Sequence, residues 1–255
     1  MGHPHAGRFV WYENLTLDAK AAIAFYTDVM GWKTQAFGDG GYVMWVGSQG
    51  PLGGVYTLPE EAAKMGAPPH WIGNVQVDDV DRTAALAKEL GGKVLKEPAD
   101  VPTVGRYAVL GDPFGSVIAA FKPSQEMPLH DMNREGEVSW NELLTTDHLK
   151  AFAFYSQLFG WQKLNEMDMG PMGTYLIYGV GETQLGGMMT RPADNPMPPF
   201  WFYYVSTNDL DAAIARSTAH GAKVLNGPMD VPGGRVAQLM DSQGAAYALH
   251  QAATK

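Results

Sequence analysis

FVWYENLTLD at residues 9–18 is answered by EVSWNELLTTD at 137–147, so that Trp11, Glu13 and Asp18 recur 129 positions later as Trp140, Glu142 and Asp147. The echo runs on. FYTDVMGW (25–32) returns as FYSQLFGW (154–161), GGKVLKEPADVP (91–102) as GAKVLNGPMDVP (221–232), and the Gly-Arg of 105–106 as that of 234–235. A repeat of this length settles the architecture before any motif is read, because two copies of one pattern must share one fold. The stretch PSQEMPLHDMNREG (123–136), with two prolines and mixed charges, reads as a linker. The expected domains are therefore 1–122 and 137–255, joined by 123–136.

Each copy uses one local grammar twice. Asp18 can cap a helix whose apolar residues Ala22, Phe25, Tyr26 and Val29 fall at i, i+3, i+4 and i+7, with Gly31 closing it. Asp147 to Gly160 repeats that pattern. A second helix is expected from about Val80 to Leu90, between Asp78 or Asp79 and Gly91, and its partner ends at Gly221. After each helix come short strand-like runs broken by Gly, Pro and Asp, such as YVMWVG, GGVYTL, RYAVLGDP and SVIAAF. Each copy thus reads as β-α-β-β-β taken twice, an α+β fold in which a helix covers one face of each half-sheet. Two curled half-sheets of this kind enclose a cup, with its other face open to a ligand.

Charge and composition narrow the partners. A net charge of −9 and only 18 scattered Lys and Arg argue against nucleic acid. No apolar run approaches the roughly 20 residues that span a bilayer, so no membrane is expected, and MGHPHAGR lacks an apolar signal core. The default location is the cytoplasm. With no cysteine, thiolate metal sites and cysteine nucleophiles are excluded, which leaves carboxylates, histidines and hydroxyls for chemistry. The glycine-rich pieces GDGG (38–41) and GVGETQLGG (179–187) do not fit a phosphate loop and read as hairpin turns.

The order of strand, then TLD or TTD, then a helix carrying FY and GW, then VDDVD, and finally GDPFG or DSQG before a last strand resembles the vicinal oxygen chelate superfamily of glyoxalases, bleomycin-resistance proteins and extradiol dioxygenases. The likeness covers residues 8–251 and is nearest to a duplicated, two-domain glyoxalase-like branch. It implies paired β-α-β-β-β modules forming a cup, with helices outside. In the family's metal enzymes, His or Glu ligands project into the cup. Carried over position by position, those places hold Trp11 and Trp140, Ile72 and Phe202, Ala119 and Ala248, and the GGVY (53–56) and GGMM (186–189) strands. The resemblance therefore implies no metal and no other cofactor. Related single domains dimerise to complete their cups, whereas this chain already holds four modules. A monomer or a homodimer is expected, with a small-molecule ligand as its partner.

Three residues remain as catalytic candidates. Glu13 and Glu142 share a strand face with Trp11 and Trp140 by period-two alternation, so they point into the cup, where burial can prepare either as a general base. The alternative is structural pairing, with Arg106 and Arg235 as the repeated cations nearest to hand. His250, on the last strand, is aligned with the empty Ala248 position and is a possible partner of Glu142. Trp11, Trp140, Tyr42, Met44, Asn74, Arg106, Tyr175, Met188, Tyr204, Arg235 and Tyr247 are the candidate ligand contacts, since Trp and Tyr stack on planar molecules and Met adapts to shape. Three readings follow: a metal-independent binding protein for a small apolar or aromatic molecule, a lyase, isomerase or dioxygenase-type enzyme based on Glu142 or Glu13 with or without a displaced metal, and a structural module with closed cups.

Overall fold

A computed structural model describes residues 5–192 and 197–253. His3 lies outside the described residues. The first module runs β1 (Phe9–Thr16), α1 (Ala19–Met30), β2 (Lys33–Phe37), β3 (Tyr42–Gly47) and β4 (Gly50–Thr57). A short α2 (Glu60–Lys64), not foreseen in the sequence, precedes β5 (His70–Gln76), α3 (Val80–Glu89), β6 (Lys93–Val101), β7 (Gly105–Gly111) and β8 (Val117–Pro123). The second copy repeats the plan with β9 (Val138–Thr145), α4 (His148–Phe159), β10 (Gln162–Asp168), β11 (Thr174–Val180) and β12 (Thr183–Thr190). Its last module is β13 (Phe200–Ser206), α5 (Leu210–Ala219), β14 (Lys223–Val231), β15 (Gly234–Met240) and β16 (Ala246–Ala252).

The helices start and stop for the reasons the sequence gives. Asp18 and Asp147 accept from the backbone N–H groups of Ala21 and Lys150, satisfying donors that an open helix end leaves orphaned. Asp79 and Asp209 do the same for Arg82 and Ala212. Gly31 and Gly160 close α1 and α4 at φ 71° and 72°, a left-handed conformation that a side chain would penalise.

Two mixed eight-stranded sheets result, ordered β2-β3-β4-β1-β5-β8-β7-β6 and β10-β11-β12-β9-β13-β16-β15-β14. β1 pairs in parallel with β4, and Glu13 is registered against Gly54. β9 and β12 repeat this, with Glu142 against Gly187.

Two compact units divide the chain differently from its repeat. One contains Met1–Val10, Gly73–Leu129 and Asn141–Trp201, and the other Trp11–Ile72, His130–Trp140 and Phe202–Lys255. Each unit therefore joins one half of the first copy to the opposite half of the second. In the second unit the Tyr26 hydroxyl donates to Asp241 at 2.9 Å, and the Trp71 indole donates to that same hydroxyl at 3.0 Å. In the first, Tyr155 donates to Asp112 at 2.9 Å. Asp112 also accepts from the backbone N–H groups of Phe114, Gly115 and Ser116, so it organises the turn before β8 while anchoring α4. Two indoles likewise fasten chain segments, Trp161 by donating to the Gly7 carbonyl and Trp32 by donating to that of Gly136.

Candidate functional site

The helix-free face of the first module is identified by what lies on the other one. Tyr26 of α1 packs on Trp45, so Trp45 and Gly53 opposite it face the helix, and the alternate residues Tyr42, Met44, Gly54 and Glu13 face away. On that face the Trp11 indole donates to the Tyr42 hydroxyl at 2.8 Å, and Tyr42 donates to Glu13 Oε1 at 3.1 Å. Burial, and then the negative Glu13 carboxylate, push the Tyr42 phenol far above its usual range, so it stays protonated and keeps its hydrogen to donate.

The third module builds the same pair. Tyr175 donates to Glu142 Oε2 at 2.7 Å, and Glu142 is only 7% exposed. A short bond from a neutral phenol satisfies part of what burying this carboxylate would otherwise cost.

Sequence reasoning identifies both partners of each pair but misses what brings them together. Tyr42 sits on β3 and Glu13 on β1, with β4 between them. The tyrosine must cross β4, and it does so over Gly54, where an added Cβ would lie 2.1 Å from its hydroxyl oxygen. Tyr175 crosses Gly187, where a Cβ would lie 2.2 Å from its ring. The preceding glycines are also obligatory, since a Cβ at Gly53 or Gly186 would meet the Tyr12 or Asn141 carbonyl oxygen at 1.9 or 1.8 Å. The recurrence of Gly-Gly at 53–54 and 186–187 was the available signal.

Four expected ligand contacts lie elsewhere. Arg106 points to the helix side, where it binds Asp81 in the first turn of α3 and Asp100 on β6; Arg235 binds Asp211 in the first turn of α5. Neither holds a glutamate of the helix-free face, because each acidic first turn offers a nearer partner. These contacts hold the Asp81 and Asp211 carboxyls below their usual range. Tyr247 packs on Phe25 and Tyr26, and so belongs to the core. Met188 is fully buried and pairs with Leu176 and Leu143, on the strand face opposite Tyr175; its neighbour Met189, registered against Tyr175, takes the place expected of it.

Of the others, Met44 is half-buried beside Gly54, and Trp11 and Trp140 are half-buried on their strands. Asn74 is buried and registered against Ala119. Tyr204 is buried, with its hydroxyl accepting from Gln238 at 2.7 Å. His250 Nδ1 lies 3.0 Å from Ser139 Oγ, and the ring also interacts with the Gly233 backbone. Burial holds its imidazole below the usual range, hence neutral at pH 7. Glu142 is thus held by Tyr175 and His250 by Ser139. Among the described residues no three His, Asp or Glu side chains form a group able to hold a metal ion, and no helix is long and apolar enough to cross a membrane. The void lined by Tyr26, Trp32, Trp71 and Tyr247 measures about 10 Å³, room for one water and no ligand.

A family model described as Glyoxalase/Bleomycin resistance protein/Dioxygenase superfamily matches residues 8–120 and again 138–246. The Mycobacterium bovis protein named "Putative glyoxylase CFP32" is 31% identical over 244 residues, covering 94% of this chain and 92% of its own. The anthracycline biosynthesis protein DnrV of Streptomyces peucetius is 29% identical over 258 residues, covering 95% and 92%. Among solved structures, the Mn(II)-bound glyoxalase from Novosphingobium aromaticivorans aligns with a TM-score of 0.66 at 15% identity, over 98% of this chain and 83% of that one. A variant of homoprotocatechuate 2,3-dioxygenase from Brevibacterium fuscum gives 0.68 at 14%, over 97% and 71%. These structures share the fold.

Proposed function

The chain belongs to the Glyoxalase/Bleomycin resistance protein/Dioxygenase superfamily, and from that premise we propose that it binds a small apolar or aromatic molecule on the helix-free faces of its sheets, without the metal ligands its enzymatic relatives use. The observation that carries this reading is the tyrosine–glutamate pair, built twice across a glycine and flanked each time by a half-buried tryptophan. Two copies of a carboxylate drawn out of bulk water, Glu142 buried and Glu13 half-buried, each with a hydrogen-bond donor in place, suit a polar anchor within an aromatic wall. The positions that carry metal ligands in related enzymes hold Trp, Ile or Phe, Gly and Ala, a donor set that does not fit a divalent cation. The name of the Streptomyces peucetius relative ties that protein to anthracycline biosynthesis, which favours an aromatic class of ligand here.

The test is a screen of uncharged planar aromatic compounds by tryptophan quenching. A saturable binder is expected, with affinity falling about tenfold in Tyr175→Phe or Tyr42→Phe, the size of one lost hydrogen bond to a charged group. A folded protein that quenches with no compound, or whose binder ignores both variants, overturns the proposal.

The buried Glu142–Tyr175 pair also favours a second reading, an enzyme of lyase, isomerase or dioxygenase type with Glu142 or Glu13 as base. A carboxylate with a phenol at 2.7 Å is a proton acceptor with a built-in donor.

A further inference from the structure

The two helix-free faces differ in the rings that surround the carboxylate. In the first copy, Tyr42 bears more than its bond to Glu13. Its ring lies 5.8 Å from that of Tyr56 at a shallow 32°, and 6.4 Å from that of Phe37 at a steep 78°. Trp11 reaches the same hydroxyl through its indole N–H. Three aromatic side chains therefore gather about Tyr42, which carries their cluster to one carboxylate, on strands β1 to β4 of a single compact unit. None is deeply buried: Trp11, Tyr42 and Tyr56 are half-buried and Phe37 is 38% exposed. The second copy replaces these surroundings. Tyr56 becomes Met189 in the matching Gly-Gly strand, and Met167 stands opposite Tyr175 where Phe37 stands opposite Tyr42.

Aromatic faces carry negative quadrupole charge and attract a cation within about 6 Å, most strongly where water is partly excluded. A carboxylate among them adds a full negative charge, and the net charge of −9 raises the local concentration of cations. Arg106, the arginine of the Gly-Arg in this copy, is committed to Asp81 and Asp100 on the helix side. We infer that the first copy holds an ammonium site, in which Trp11, Tyr42 and Tyr56 flank an alkylammonium group that Glu13 neutralises, with Phe37 packed behind Tyr42. The thioether-lined site around Glu142 takes an uncharged group instead. This assignment rests on the ligand-binding reading above and names the chemistry of one of its two sites.

The test compares choline with its uncharged isostere 3,3-dimethylbutan-1-ol, by calorimetry on the intact chain at low salt. Choline is expected to bind at least tenfold more tightly. Glu13→Gln should remove most of that preference and Tyr56→Met, which imports the second copy's residue, should reduce it several-fold. Glu60→Gln, an equal loss of charge on an exposed residue paired with Lys64, should leave it intact. Each variant is first shown to keep the parent melting temperature, and Tyr56→Met serves if Glu13→Gln does not fold. Equal affinity for the two probes, no binding of either, or a preference that persists in both variants overturns the ammonium site. If planar uncharged compounds still bind, the broader ligand-binding reading stands; if they also fail, both fall.

Discussion

Gly187 is the glycine of the candidate site whose substitution bears most directly on the Tyr175–Glu142 pair. Its alanine variant must place a methyl group where the Tyr175 ring now lies, 2.2 Å from a ring atom, so the tyrosine must leave and Glu142 loses its donor. Overpacking and the loss of one hydrogen bond to a buried carboxylate act together, and Gly187→Ala should cost about 1–3 kcal/mol in urea unfolding. A loss below about 0.5 kcal/mol would show that the ring has room to move. Among single residues the sequence was legible for Glu13 and Glu142, whose strand alternation places them correctly, and for Tyr42 and Tyr175. Arginines 106 and 235 were misplaced because alternation assigns a face, whereas an Asp in a neighbouring helix turn is a partner that only tertiary structure supplies. Tyr247 and Met188 were misplaced by one step of the same alternation, since the next residue along a strand faces the opposite side.

The elements themselves were read more securely. Capping aspartates and closing glycines mark α1, α3, α4 and α5 because those residues satisfy helix ends wherever they occur. The short α2 was not legible, having no capping side chain and no buried residue. What local signals do not reveal is which elements pack together. Tyr26 on α1 reaches Asp241 in the turn before β16, 215 residues away, and is also the acceptor for Trp71. Tyr26→Phe removes one bond to a buried carboxylate and leaves that indole without its acceptor. It should cost about 2–3 kcal/mol in urea unfolding, and Tyr155→Phe, which removes the matching bond to Asp112, about the same. A cost under about 0.5 kcal/mol for both would mean that these bonds merely accompany packing that other contacts determine.

Over the whole molecule, duplication has kept the frame and changed the contents. The helices, the Gly-Gly strands, the crossing tyrosines and the glutamates are held in common, while Tyr56 and Met189, or Phe121 and His250, mark where the copies part. Parts built twice are the ones the fold or the ligand demands, and on the reading proposed above the glutamate–tyrosine pair serves binding in place of the superfamily's metal centre. The direct measurement is the transition-metal content, by mass spectrometry, of protein purified without chelator. Well under one metal per chain is expected, unchanged in Glu142→Ala and His250→Ala. One metal per chain, lost in either variant, would contradict that reading.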